Sequence, residues 1–585
     1  MQYRPEIDGL RALAVVPVIL YHAGYGALSG GFVGVDVFFV ISGYLITSIL
    51  VREMDTGTYS ISNFYARRAR RLLPALLIVC AASIPAAIWL MPPGALAGFG
   101  RGLLATLLFA SNIQFWSETG YFAAASDFKP LLHTWSLAIE EQFYVLFPLL
   151  LLTMQRLSRR QLIWVLFIGW LASFMIAGWA SQNKPDANFY LLPSRAWELL
   201  TGSLIAVVPG LAPKSLRLRT LGAVAGVLAI CLAATVYTAR TPFPGTYALL
   251  PVLGAALIIV CSQGSDPMAR ILGWGGFVLI GKISYSLYLW HWPIFVFAKL
   301  WYFQGGPQPN FPILIALTVA AAWLSYKYIE TPFRSPRTLP AMPAYSILGG
   351  ASAVAAGFAL LAVIMPSAFD RHDGPQLAAL EATATYSPYR DTCHTRGRTY
   401  RPPSEACTYP GEDPTWAVFG DSHTVEFGYA LSEALDEREL SLSHHSFSGC
   451  APMAGRSEGS RPGCPEWTEE TLTWLANNQH IETIVVAYRL NAYLLGDHAA
   501  GYPRQPGFFT TEEQDAVWQS YLEALQRLSA SGKQVIALMQ VPEIPAPVEY
   551  MMRRTPDESG YIAGVPRRWW DTRQSWVYGR LGDIP

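Results

Sequence analysis

Arg11 and His22 stand eleven residues apart in the first apolar stretch of the chain. On an α-helix, at 100° per residue, they are only about 20° out of line and ~16 Å apart along the axis. Sharing one face, they can form a polar track in which the His acts as general base and the Arg holds an anionic group. The plainer alternative is an Arg near one membrane surface and a His near the other end. Arg195 and Glu198 have i,i+3 spacing, where a salt bridge lowers the cost of burying both, whether for chemistry or for structure alone. The stretch from His133 to Tyr144 concentrates a His with Glu140 and Glu141 at a helix entrance. Such acids could serve chemistry or complement the helix macrodipole. Gly30, Gly31 and Gly34 precede Asp36, with Ser42 and Gly43 beyond, and suit close helix packing. Far along the chain, Gly420-Asp421-Ser422-His423 turns from a short apolar strand into a helix. A serine there can be an exposed nucleophile or merely a helix cap.

The elements that must hold these residues differ between the two parts of the chain. Its 585 residues are 52% hydrophobic and only 14% charged, against roughly 25% charged residues in soluble domains. Residues 1–370 carry 24 Lys and Arg against 14 Asp and Glu, whereas 371–585 carry 18 against 28. A membrane domain followed by a water-soluble one gives that split. Neither half is strongly basic, so no nucleic-acid partner is expected. Twelve apolar stretches of spanning length lie between residues 8 and 366. The basic loops 67–71 and 156–160 should both be cytoplasmic, which requires an even number of crossings between them, yet three stretches lie there. The stretch 96–115, which holds Arg101, is expected to stop short of a crossing. About eleven crossings from a cytoplasmic N-terminus then place residues 367–585 outside.

Cysteine usage agrees with that topology. Cys393, Cys407, Cys450 and Cys464 lie in the polar part, and their equal spacing favours the bridges Cys393–Cys407 and Cys450–Cys464. Bridges require an oxidising compartment. In the same part, strands are expected at 415–419, 481–488 and 534–539, with a helix over 424–440. Strands alternating with helices suggest a parallel sheet carrying its site at the strand carboxyl ends.

Taken in order, Glu6-Ile7-Asp8-Gly9-Leu10-Arg11-Ala12 with Tyr21-His22, the Gly31–Tyr44 block, the Arg67–Arg71 cluster, Trp135–Tyr144, Arg195-x-x-Glu198 and Ser284–Pro293 resemble the membrane acyltransferase-3 family over about 1–335. Members are membrane O-acyltransferases that modify bacterial cell-surface glycans such as lipopolysaccharide O-antigen and peptidoglycan. The resemblance implies that His22 is essential to acyl transfer, with Arg11 in the same Arg-x10-His motif. It also implies that Arg67, Arg68 and Arg71 lie where acyl-coenzyme A arrives. Glu140 and Glu141 join the catalytic candidates, and Asp36, Arg195 and Glu198 those for binding substrate or donor.

The polar part resembles an SGNH hydrolase-type domain, the partner commonly fused to acyltransferase-3 modules. That resemblance makes Ser422 the nucleophile and gives the backbone N–H of Gly449 to the oxyanion hole. Asn491 is the candidate for the family's Asn, although the usual Gly-x-Asn-Asp is absent. The Asp-x-x-His expected to supply the serine's base is not found after Met539, and no His occurs beyond His498. His423, His444, His445 and His498 remain available. Residues 576–584 read as the approach to a further strand, so the domain is expected to be incomplete at its C-terminus and nearly inactive in ester hydrolysis.

The resulting expectation is a polytopic α-helical membrane domain followed by an extracytoplasmic α/β SGNH-like domain. The parts are an acyltransferase-3 domain over 1–337, a further transmembrane helix and linker over 338–370, and the SGNH-like domain over 371–585. It would sit in the bacterial inner membrane, among lipid. There it would take an acyl group, expected to be acetyl, from cytoplasmic acetyl-coenzyme A and pass it to a glycan hydroxyl outside, held on Ser422 on the way. No metal is expected. An extracytoplasmic serine esterase and a multispan transporter are the alternatives.

Overall fold

The structure, a computed structural model, describes residues 3–118, 128–238, 241–264, 266–335, 337–370, 386–395, 400–456, 463–496, 510–541, 543–544, 547–554 and 561–585. They fall into two compact units, Met1–Arg371 and His372–Pro585. His498, one of the candidate histidines, lies outside the described residues.

Apolar composition and helix caps shape the first unit. Its principal helices are α1 (Pro5–His22), α2 (Gly34–Asp55), α3 (Ile61–Leu90), α4 (Pro93–Leu107), α5 (Ser111–Ser117), α6 (Thr134–Thr153), α7 (Arg159–Asn183), α8 (Leu192–Val207), α9 (Leu216–Val236), α10 (Leu249–Cys261), α11 (Gly275–Phe303), α12 (Phe311–Ser325) and α13 (Ala341–Ile364). Ser60 caps α3 by accepting from the Asn63 N–H, and Ser158 and Gln161 form a capping box at the start of α7. On α7, Trp164, Phe167, Ile168, Met175 and Trp179 remain exposed, a face suited to lipid.

Seven helices among the described residues are long and apolar enough to cross a membrane. The expected count of eleven is therefore not matched by eleven such helices. The other four are the polar or short ones. Helix α1 carries Glu6, Asp8 and Arg11, α8 has 16 residues with Arg195 and Glu198, α10 has 13, and α11 interleaves Lys282, His291 and Lys299 with aromatics. Helices that pack against other helices rather than lipid need not be uniformly apolar. The 96–115 stretch is broken: α4 stops at Leu107, Phe109 takes a positive φ of 51°, and α5 starts at Ser111.

Glycines set the closest helix contacts. A Cβ on Gly43 of α2 would lie 1.8 Å from the carbonyl oxygen of Leu199, and one on Gly202 of α8 would lie 2.0 Å from that of Val40. The two backbones therefore touch.

The second unit is built on a five-stranded sheet of β1 (Cys407–Tyr409), β2 (Pro414–Gly420), β3 (Ser441–Ser446), β4 (Thr483–Ala487) and β5 (Gln534–Leu538), in the order β1-β3-β2-β4-β5. Strands β3, β2, β4 and β5 are parallel, but β1 pairs antiparallel with β3. The expected parallel sheet is thus mixed. Only residues 410–413 join β1 to β2, too few for the crossover that a parallel arrangement needs. The principal helices are α14 (His423–Asp436), α15 (Cys464–Asn477), α16 (Leu490–Leu495), α17 (Thr511–Ala530) and α18 (Arg567–Tyr578). Strand β3 was not expected, since Ser-Leu-Ser-His-His-Ser holds one apolar residue. All six positions are nevertheless buried. Over 576–584, read as the approach to a further strand, α18 runs to Tyr578 and a 3-10 turn covers Leu581–Asp583. Trp569, Arg573 and Val577, four apart, are buried on one helical face. Both expected disulfides, Cys393–Cys407 and Cys450–Cys464, are formed.

The α2–α8 contact yields a first test. Gly43→Val must force the two backbones apart and should destabilise the first unit by at least about 2 kcal/mol, read as a lower melting temperature of the detergent-solubilised protein. An unchanged melting temperature would mean that the contact is not needed.

Candidate active site

Helix α1 carries polar groups at both ends. At its C-terminal end, His22 Nδ1 lies 3.0 Å from His291 Nε2, and His291 Nδ1 lies 2.6 Å from the Tyr288 carbonyl oxygen. The His22 and His291 rings are nearly parallel, with centroids 5.2 Å apart, and Trp292 meets His22 edge-on at 4.7 Å. A third ring, His133, sits 5.8 Å from His291. It is buried, and neither of its nitrogens has a hydrogen-bond partner among the described residues. The Tyr288 hydroxyl donates to the His133 carbonyl at 2.9 Å and lies 2.7 Å from Ser136 Oγ, fastening α11 to α6.

Toward the other end, Arg11 pairs with Asp8 at 3.1 Å rather than sharing contacts with His22. Of the Arg67–Arg71 cluster, Arg68 and Arg71 turn inward. Arg68 donates to Glu141 at 2.8 Å and stacks 3.8 Å from the centre of the Tyr144 ring. Arg71 makes no hydrogen bond or ion pair among the described residues, and the charges that act on it include Arg11, Arg68 and Arg334. Arg67 instead reaches outward to Glu53, and Arg70 is spent on the carbonyls of Phe333 and Leu339. An unpaired guanidinium among other guanidiniums suits a phosphate-bearing anion.

Glu140 and Glu141 do not complement a helix dipole, because α6 starts at Thr134, more than a turn before them. Instead Glu141 holds Arg68, and Glu140 accepts from the hydroxyls of Ser42 and Tyr144. Asp36, Arg195 and Glu198 form a closed triad. Arg195 Nη1 bonds Asp36 at 3.0 Å and Glu198 at 2.8 Å, with all three side chains at most 1% exposed. This geometry joins α2 to α8.

In the second unit the carboxyl ends of the parallel strands gather one set of groups. Ser422 follows β2, Gly449 follows β3, Asn491 follows β4 and Gln540 follows β5. Ser422 occupies the cap position of α14 but makes no capping bond. Asp421 does that work: its carboxylate accepts from the backbone N–H groups of His423 at 2.8 Å and Arg489 at 2.9 Å, and from the Tyr493 hydroxyl at 2.9 Å. Burial pushes this carboxyl above its usual range. Ser422 Oγ is left buried and unbonded among the described residues. Gly449 has a φ of +64°, which favours glycine, in a loop fixed by the Phe447 N–H bond to Gly420 and by the Cys450–Cys464 bridge. The Asn491 side chain is fully buried with neither amide atom bonded, and its backbone N–H donates to Gln540 at 2.7 Å.

His444 and His445 are not at this edge as bases. His444 bonds Tyr409 and Ser446, and His445 bonds Ser443 at 2.9 Å, all within the sheet. His133 and His291 had no assigned chemical role in the sequence reading. Their signal lay in the motifs, but only the fold puts both beside His22.

A polytopic helical unit with a buried imidazole cluster, joined to a sheet unit with a serine at its carboxyl edge, defines a membrane protein of two chemically equipped parts. The chain belongs to the acyltransferase family: residues 4–327 match the acyltransferase domain, and 392–584 match the SGNH domain fused to such domains. It is 36% identical over 350 residues to the Staphylococcus aureus (strain MSSA476) protein named "Putative O-acetyltransferase SAS0844", covering 57% of this chain and 58% of that one. To "O-acetyltransferase OatA" of S. aureus strain NCTC 8325 / PS 47 it is 35% identical over 347 residues, covering 57% of each. The chain spans less than three fifths of the length of these curated relatives. No solved structure matches it.

Burial holds His444 and His445 neutral, with pKa values lowered to about 4 and about 3. Unfolded, each ring takes a proton near 6.5. The unfolded chain binds more protons between those values, so each ring withdraws up to about 1.4 kcal/mol per pH unit as pH falls from 6.5 toward 4. Pulse proteolysis of the full-length protein should find the second unit less stable at pH 4.5 than at pH 7, and H444Q/H445Q should flatten the difference. The same pH dependence in wild type and variant would remove these rings as its cause.

Proposed function

We propose that the protein is a membrane O-acyltransferase that moves an acyl group, expected to be acetyl, from acyl-coenzyme A to a hydroxyl of a cell-surface glycan. The observation that carries this reading is the polarity of α1, with guanidiniums toward one end and the His22 cluster at the other. A coenzyme A donor has the same polarity, anionic phosphates at one end and a thioester at the end of a long arm. Arg11, Arg68 and Arg71 would hold the phosphates. His22 would take the proton of the attacking hydroxyl as its oxygen adds to the thioester carbon, then return that proton to the departing thiol. Membership of the acyltransferase family and likeness to proteins named O-acetyltransferases support the reading.

Coenzyme A does not cross a bilayer, so the acyl group alone must reach the far side. In the simplest scheme Ser422 carries it as an ester, with the Gly449 N–H and the Asn491 amide facing the developing oxyanion. The N-terminus would then be cytoplasmic and residues 372–585 outside the cytoplasmic membrane. A serine esterase using the same edge with water as acceptor is the second reading, favoured by the unbonded Ser422 hydroxyl.

Offer membranes containing the protein radiolabelled acetyl-coenzyme A. His22→Ala should lower transfer of label at least about 100-fold while the protein still inserts, and full transfer would refute the role of His22. Arg71→Lys should raise KM for the donor, because an ammonium does not reproduce a bidentate fork; an unchanged KM would detach Arg71 from the donor. Label on glycan identifies a transferase, whereas loss of pre-existing acyl groups without labelling identifies the esterase.

A further inference from the structure

We infer that His291 is a positioning residue that fixes the tautomer of His22 and makes His22 Nε2 the atom that accepts the proton; this rests on the acyl-transfer reading above. The argument follows the hydrogens. A backbone carbonyl can only accept, and the Tyr288 oxygen lies 2.6 Å from His291 Nδ1, so that nitrogen carries the hydrogen. A neutral imidazole has one N–H, which leaves His291 Nε2 as a lone pair. That lone pair faces His22 Nδ1 at 3.0 Å. His22 Nδ1 must therefore donate, and the remaining lone pair of His22 is on Nε2. His22 Nε2 makes no hydrogen bond among the described residues, and His22 is only partly buried, so the basic nitrogen is available to a substrate hydroxyl.

The alternative, a His291 cation, would present hydrogens on both of its nitrogens and need His22 Nδ1 as acceptor. His291 is fully buried, its close ring neighbours are His22, His133, Tyr288 and Phe295, and no ion pair is formed by it among the described residues. An unpaired charge there is costly. The chain Tyr288 carbonyl, His291, His22 thus works as a carbonyl-anchored relay that orients a base without a carboxylate. When His22 Nε2 takes the hydroxyl proton, the imidazolium keeps its Nδ1–H bonded to His291, and the proton leaves again with the thiol.

The test is a pair of substitutions in the full-length protein in membranes, with acetyl-coenzyme A as probe and thiol release as readout. His291→Phe keeps a ring but removes the acceptor, and should lower kcat about 10- to 100-fold with KM for acetyl-coenzyme A within twofold of wild type. His291→Gln can place a carbonyl oxygen near the lost Nε2 and should recover at least a few-fold of that kcat. Selective 15N labelling of histidine should find His22 protonated at Nδ1 in the wild type. Wild-type kcat in His291→Phe, equal losses in the Phe and Gln variants, or a His22 protonated at Nε2 would each overturn the inference. If His291→Phe fails to insert, the 15N measurement on the wild type decides alone. The underlying reading fails separately, when His22→Ala keeps its activity. An inactive His22→Ala beside a fully active His291→Phe removes only the role of His291.

Discussion

A charged side chain inside an apolar helical bundle has no water to turn to, so every such group in the first unit must find a partner on another segment or stay unsatisfied at high cost. Arg195 answers with Asp36 and Glu198, Arg68 with Glu141 and the face of Tyr144, and Arg70 with two backbone carbonyls. These pairs fix register as well as charge. Helix α2 cannot slide along α8 without parting Asp36 from Arg195, and the Gly43 and Gly202 contacts demand the same alignment.

The groups that escape this rule are informative. Arg71 has like charges for neighbours, and His133 has two unbonded nitrogens. The other buried ions each keep at least one partner, although Asp36 Oδ2, Arg195 Nε, Glu198 Oε2, Arg68 Nε and Arg70 Nη1 are also left unbonded among the described residues. In the second unit the same logic operates through Asp421. By taking over the capping of α14 and tying it to Arg489 and Tyr493, it frees the neighbouring serine of structural duty.

Much of this was legible in the sequence where a signal was local. The spacing of Arg11 and His22, the strands β2, β4 and β5 and the two disulfides follow from periodicity, apolar runs and equal loop lengths. What was not legible depended on partners distant in the chain. Strand β3 is buried by hydrogen bonds among its own serines and histidines and with Tyr409, so it lacks the apolar run that marks a strand. Glu140 and Glu141 looked like dipole partners only because the start of α6 was unknown. The helix over Arg567–Tyr578 was not read from the sequence, although Trp569, Arg573 and Val577 show its four-residue spacing. His291 was visible in Trp290-His291-Trp292-Pro293, yet its distance from His22 is a property of how α1 and α11 pack.

The two units also divide proton handling unequally. In the first, an imidazole is held in one tautomer by a second imidazole and a carbonyl, which suits a setting where a carboxylate would itself be expensive to bury. In the second, the described residues provide an unbonded hydroxyl, a left-handed glycine loop and an unbonded amide. A serine without a proton acceptor is a poor nucleophile toward an unactivated ester, because its hydroxyl must lose the proton as it attacks. On the proposed reading, the step that needs a base at an apolar site, thioester cleavage, is therefore equipped at His22. On the same reading the Ser422 edge would stabilise an oxyanion, and its competence as a nucleophile would turn on a proton acceptor for the hydroxyl.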